Sequence, residues 1–342
     1  TLLGREAFMR CDALVGGALH PDLASIPPRV FEGCGSLVID ALPPALKRID
    51  LQAFLGCTQL VLLQGLPDGL LYIGESAFSG CYSLRIPALP SSYDGRVRTN
   101  TFSNCRSLQH VVLPLHTTHI EPRAFFECTQ LTLDAALFEH KRSQLECIDD
   151  LAFRSCRSLR IHAIKAPKLT KIGTYCFAYC DSLVLGGGLL DSLPVIFPGC
   201  FSHCRRLALP GLPSGLNAVG NRAFENCVSL TLPNGLPEHL AMIREGAFSG
   251  CTSLNASHVP ALTLPSTLTL LGDNAFAGCA PSVVQMEQDW HSSRQQWPGS
   301  SSDSGSDGVP GTSSDNDSAE GMDIEDASTQ GSESHVSDSE SD

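Results

Sequence analysis

A phenylalanine recurs at positions 8, 31, 54, 78, 102, 125, 153, 177, 201, 224, 248 and 276, at intervals of 23 or 24 residues with two of 28. Around each one the chain repeats a phrase close to A-F-x-x-C-x-S-L-x-L. A loop rich in Leu and Pro follows, then a hydrophobic segment that often ends in Gly, as in "GESAFSGCYSLRIPALP" at 74–90. A unit of this length cannot bury its apolar side alone, so twelve copies must stack and cover one another along residues 1–280. Twelve of the 15 phenylalanines occupy that one position, which makes the core a line instead of a single central cluster.

Within each unit the S-L-x-L piece alternates apolar and variable residues, as in Leu37-Val38-Ile39, Leu84-Arg85-Ile86 and Leu230-Thr231-Leu232. Period two predicts a short strand with its leucines inward. About 20 residues separate one such strand from the next, and a return in the same sense makes neighbours parallel in one sheet. At about 4.8 Å per step, eleven steps give a curved rod roughly 50–55 Å long. The small or turn-forming residues before each Phe, such as Gly74-Glu75-Ser76-Ala77, predict one helical or 3₁₀ turn on the outer side. The two 28-residue intervals carry insertions near 137–146 and 255–265, expected as surface loops.

The phrases "IGESAFSGCYSL" and "IREGAFSGCTSL" resemble the BspA-like class of leucine-rich repeats, and the resemblance covers about four fifths of the chain. Membership would imply an α/β fold: a right-handed horseshoe solenoid with a parallel β-sheet on its concave face, short turns outside, and a role in protein binding. The usual family phrase carries an I-x-I-P element after the strand leucine. Most repeats here have the shorter S-L-x-L and a Leu-Pro loop instead.

Chemistry-bearing residues fit the same pattern. Twelve of the 15 cysteines lie three places after a repeat Phe, and no C-x-x-C pair exists, so they are expected as reduced, buried thiols and not as zinc ligands. Cys176 and Cys200 replace the Ala before Phe, and Cys147 stands outside the pattern. His110, His116, His119 and Glu121 form the densest imidazole group, without helical spacing or a second anchored carboxylate; exposed loop histidines account for it equally. No nucleophile elbow, phosphate loop or metalloprotease motif is present, so no catalytic or cofactor-binding residue is assigned and an enzyme is not expected. The residues between the two leucines of S-L-x-L should form an outward column: Val38, Val61, Arg85, Gln109, Thr132, Arg160, Val184, Ala208, Thr231 and Asn255. That mixture suits a protein or peptide ligand better than nucleic acid, which requires a basic stripe. It is equally the composition of solvated strand residues.

The net charge of −13 belongs entirely to the end of the chain. After residue 281 there are 14 acidic residues against Arg294 alone, leaving 22 acidic and 22 basic residues before it. Two parts follow: a solenoid over 1–284 and an acidic, Ser-rich tail over 285–342, whose lack of aliphatic residues predicts disorder. Ser300, Ser304, Thr312, Ser314, Ser337 and Ser339 each have an acidic residue three places on, the pattern of acidophilic kinases. Phosphates there would strengthen attraction to a basic partner; unmodified, the tail is a solubilising segment. Trp290 and Trp297 are expected either to cap the last repeat or to serve as a short linear motif. No run is apolar enough to span a membrane. Reduced cysteines and a phosphorylatable tail favour the cell interior. The alternative is a cell-surface adhesin whose signal peptide precedes Thr1, where the chain opens in mid-repeat.

Overall fold

Consecutive rings of the twelve recurring phenylalanines lie 5.2–5.7 Å apart and within 12° of parallel, in one file from Phe8 to Phe276. The structure is a computed structural model that describes residues 3–62, 64–254 and 262–295. Eleven of the rings are buried, and Phe8, in the first turn, is 37% exposed. The small residue before each Phe makes room for this file: Ala53, Ala77, Ala124, Ala152, Ala223, Ala247 and Ala275 are all fully buried. Full burial of one such ring contributes on the order of 1.5–3 kcal/mol, so the column fixes the register of every turn.

The backbone around each Phe is a run of β-turns, not the 3₁₀ turn expected from sequence. In all twelve turns the residues two before and two after Phe have positive φ, from Glu6 and Arg10 to Asn274 and Gly278. Left-handed residues at both positions cannot continue a helix. They allow alternate N–H groups to point along the coil: Arg29, Phe31 and Gly33 donate to the Leu51, Ala53 and Leu55 carbonyls of the next turn at 2.7–3.0 Å.

The cysteine three places after Phe completes this edge. From Cys34 to Cys279, eleven thiols donate to the carbonyl of the Phe one turn back at 2.9–3.2 Å, as Cys57 does to Phe31 and Cys156 to Phe125. The same carbonyl already accepts an N–H within its own turn, Cys34 to Phe31 for example at 3.1 Å, so both of its lone pairs are used. A small apolar side chain with one weak donor meets this requirement, and cysteine is the residue that has both.

Eleven two-residue strands, from Ser25–Ile26 to Leu270–Leu271, pair in parallel in three groups. They lie in the hydrophobic segment before the turn and not, as expected, in S-L-x-L. There the donors point backward along the coil, Asp50 to Ile26 and Gly74 to Ile49 at 2.8–2.9 Å. The S-L-x-L residues keep the predicted alternation, with Leu37 and Ile39, Leu84 and Ile86, and Leu230 and Leu232 buried. Only part of that track and the loop after it pairs, at His110–Val111 with Thr132–Leu133, at Ala163–Ile164 with Gly188–Leu189 and at the single bridge of Ala88 with Val112, because the prolines of the loop lack a donor and the loops vary in length. The main sheet breaks between Tyr72–Ile73 and Arg96–Val97, where the Arg98 guanidinium donates to the Ile73 carbonyl at 3.2 Å. It breaks again before Val195–Ile196, where Pro194 has no N–H to give.

The insertion near 137–146 is more than a surface loop. It forms α1 (Ala136–Glu139), whose Leu137 and Phe138 are buried, and Phe138 meets Phe153 edge-on at 6.2 Å. The insertion near 255–265 lies mostly outside the described residues.

The last turn is closed by α2 (Pro281–Gln295), which runs through residues 284 and 285, where the sequence placed the change from repeats to tail. Val283 is buried, and Met286 and Trp290 pack against the core, so Trp290 takes the capping role. Trp297 lies outside the described residues. The Glu287 carboxylate accepts the Ala275 and Phe276 N–H groups at 2.8 and 3.2 Å, and for Phe276 it stands in for the next turn. Arg294 donates to the Thr269 and Leu268 carbonyls at 3.1 and 3.2 Å. Thr269 is the position whose counterpart one turn earlier, Ala241, accepts from the following turn.

Candidate interaction surface

Satisfying the coil leaves few groups for chemistry. Burial pushes the ladder thiols upward, Cys57 to about 12, and holds them protonated as donors. Cys147, beside Asp149, is likewise pushed up to about 12, by burial first. Among the described residues no three His, Cys, Asp or Glu side chains gather closely enough to hold a metal. The histidine group is dispersed over separate partners: His110 with the Thr132 hydroxyl, His116 with the Tyr93 carbonyl and His119 with the Thr118 hydroxyl.

Two polar ladders that sequence patterning did not single out lie on the coil's edges. Along the strand edge, Tyr72 is sandwiched between the Arg48 and Arg98 guanidinium groups at 4.1 and 4.0 Å. Arg48 pairs with Asp50, Arg98 with Asp94, Arg96 with Glu121, and Lys171 with Asp149. The signal was a polar residue directly before the buried Ile or Val at Ser25, Arg48, Tyr72, Arg96, His119 and Lys171, which reads as ordinary alternation until stacking puts these residues side by side. From Val195 through Ala218, Met242 and Leu270 the same edge is apolar. On the turn edge, Tyr179 stacks on His203 at 4.5 Å, and the Arg154 guanidinium lies over both Tyr179 and Phe126 at 5.3 and 5.8 Å. Ser202 contacts His203 Nδ1 at 2.8 Å and Asn226 contacts Nε2 at 3.1 Å, while burial pushes the imidazole downward and favours its neutral form. Ser202 is only 2% exposed, so this hydroxyl braces the turn and is closed to a substrate.

The sequence-derived column does point outward. Val38, Arg85, Gln109, Arg160, Val184 and Thr231 are exposed; Val61, Thr132 and Ala208 are half-buried; Asn255 lies outside the described residues. The structure brings Arg85 and Gln109 together around a shallow depression with Pro87 and His110. Arg160 and Val184 share another, of about 380 Å³, with His162, Ser182 and Arg206. Val38 and Thr231 share neither of these two depressions. The phosphorylation candidates Ser300, Ser304, Thr312, Ser314, Ser337 and Ser339 lie outside the described residues.

Parallel strands repeated turn by turn, few helices and an outward row of variable side chains define a leucine-rich-repeat solenoid. The model of the BspA type leucine-rich repeat region matches residues 1–95, 64–184, 131–255 and 184–296, and the chain belongs to that family. Among solved structures, a leucine-rich repeat protein from Bacteroides ovatus is 25% identical with a TM-score of 0.50, over 81% of this chain and 79% of its own. A leucine rich cell surface protein from Faecalibacterium prausnitzii is 21% identical with a TM-score of 0.47, over 75% of each chain. No curated protein matches the chain. No helix among the described residues is long and apolar enough to cross a membrane.

Proposed function

We propose that the protein is a non-catalytic interaction scaffold that binds a protein or peptide through the outward row of its repeats. The observation that carries this is the division of labour within each turn. Phe, Cys and the turn backbone satisfy one another, while the residue between the two S-L-x-L leucines varies from Val to Arg to Thr, and only Gln109 and Thr132 of this row hydrogen-bond to a neighbouring turn. Surfaces relieved of structural duty are where repeat proteins diversify their partners. The eleven thiol donors suit a reducing compartment, which favours the cell interior. The segment after residue 296, with twelve acidic residues and no Lys or Arg, suits a basic partner and acts as a second, salt-sensitive element.

The test is quantitative capture from lysate by the full chain against a variant carrying Val38→Asp, Val61→Asp and Thr231→Asp, at low and high salt. Partners lost with the variant, while the melting temperature holds, support binding by the row. Equal capture by both proteins places binding elsewhere. Immunolocalisation in intact and permeabilised cells checks the compartment: staining without permeabilisation overturns the interior assignment.

A further inference from the structure

The arginines of this chain differ in whether a carboxylate holds them. Arg48, Arg96 and Arg98 on the strand edge each hold one within 3.0 Å. Those beyond the turn on the seventh and ninth repeats do not. Arg160, Arg205 and Arg206 are exposed, and no ion pair or side-chain hydrogen bond engages them among the described residues. Carboxylates on neighbouring turns are engaged elsewhere: Asp181 faces Arg157 at 4.0 Å, Glu139 accepts the Ala163 N–H, and Glu225 accepts the Ser202 hydroxyl. Arg160 and Arg206 nevertheless line one depression, with Val184, 38% exposed, between them and His162 and Ser182 beside it.

We propose that this depression is the docking site for an extended acidic segment of a partner protein, bearing two carboxylates about 9–10 Å apart with an aliphatic residue between them. The proposal rests on the scaffold function above and names the chemistry of its partner. Arg160 and Arg206 belong to turns two steps apart, and two steps of about 4.8 Å make about 10 Å. An extended polyproline-type segment brings residues i and i+3 to one edge at about 9 Å, so an acidic residue at each end meets one guanidinium. Guanidinium–carboxylate pairs are charge-assisted and directional. The residue between them lies over Val184, whose exposed methyls share the depression with Ala135 and Ile161, and this apolar contact separates a peptide from a bare anion. A nucleic-acid backbone fits less well: it requires basic groups continued over many turns, whereas the solenoid before residue 281 has 22 basic and 22 acidic residues.

The test is fluorescence anisotropy of the full chain with a labelled peptide containing Glu-Ile-Pro-Glu. The comparison probes are Gln-Ile-Pro-Gln, Glu-Ser-Pro-Glu and a single-stranded oligothymidylate. The expected result is binding of the first peptide, at least tenfold weaker binding of the Gln version, and several-fold weaker binding of the Ser version. Arg160→Glu with Arg206→Glu should abolish binding, Arg160→Gln alone should weaken it, and Arg244→Glu, on another turn, should leave it unchanged. Loss in the milder Gln variant guards against a folding defect in the reversal. No binding of the acidic peptide, equal binding of its Gln version, or preference for the oligothymidylate would overturn the site. If the peptide fails while the Val38, Val61 and Thr231 variant still loses its captured partners, the scaffold function stands and this partner chemistry falls.

Discussion

At the last turn the Ala275 and Phe276 N–H groups end on Glu287 and the Leu268 and Thr269 carbonyls end on Arg294. At the first turn, by contrast, Phe8 is 37% exposed and opens onto an apolar depression of about 270 Å³ lined by Leu3, Leu14, Leu19 and Leu23. The two ends differ because the ladders are polar. Turn donors point forward and strand donors point back, so the C-terminal end presents turn N–H groups and strand carbonyls, and the N-terminal end presents the reverse. A helix carrying Glu287 for the turn N–H groups and Arg294 for the strand-side carbonyls can close only the first of these. The lesson is that a stacked coil ends by supplying the hydrogen-bond partners a further turn would have brought, together with apolar cover from Val283, Met286 and Trp290.

High pH should break the interior most severely. An unfolded thiol ionises near its ordinary value of 9.0, whereas buried Cys57 resists until about 12. Raised folded values mean that stability is fully present below about 9 and falls as pH rises from 9 towards 12, because the unfolded chain alone loses protons. For Cys57 this is at most about 4 kcal/mol, and several thiols share the direction, so circular dichroism should show cooperative alkaline unfolding within that window. A flat signal from pH 8 to 11 would contradict protonated thiols as ladder donors. Next in size, Phe153→Ala at mid-column should cost about 3–5 kcal/mol in a denaturant titration, and Phe8→Ala at the open end clearly less; equal costs would mean the ends are not distinct. Glu287→Ala leaves two buried N–H groups unpaired and should cost about 1–3 kcal/mol, whereas exposed Arg294→Ala should cost under about 1 kcal/mol. Smallest, Cys156→Ala should cost about 1 kcal/mol and Cys11→Ala almost nothing, since Cys11 is exposed and lies in the first turn.

The stacked architecture was legible in the phenylalanine period, because a requirement repeated twelve times outweighs any local ambiguity. The outward row was legible as well, since burial alternates at Leu37-Val38-Ile39, Leu84-Arg85-Ile86 and Leu230-Thr231-Leu232 whether or not the backbone there pairs. Strand position was not: two neighbouring apolar segments compete for the name, and the inter-turn hydrogen bonds that decide between them follow loop length and proline placement, not hydropathy. The left-handed residues escaped notice because Gly fills only some of those sites while Leu151, Tyr179 and His203 adopt the same conformation in others. Glu287 and Arg294 gave no signal as a cap, because only stacking shows which donors and carbonyls are left over.

Hydrogen exchange with mass spectrometry on the full chain, wild type against Glu287→Ala, tests most directly the claim that inter-turn ladders hold this coil and that α2 completes them. Slow exchange of the Ala275–Phe276 amides in the wild type, similar to that at Phe153 and Phe177, with selective acceleration at the last turn in the variant, is the predicted result. Rapid exchange at these amides in the wild type, or none gained in the variant, would contradict it.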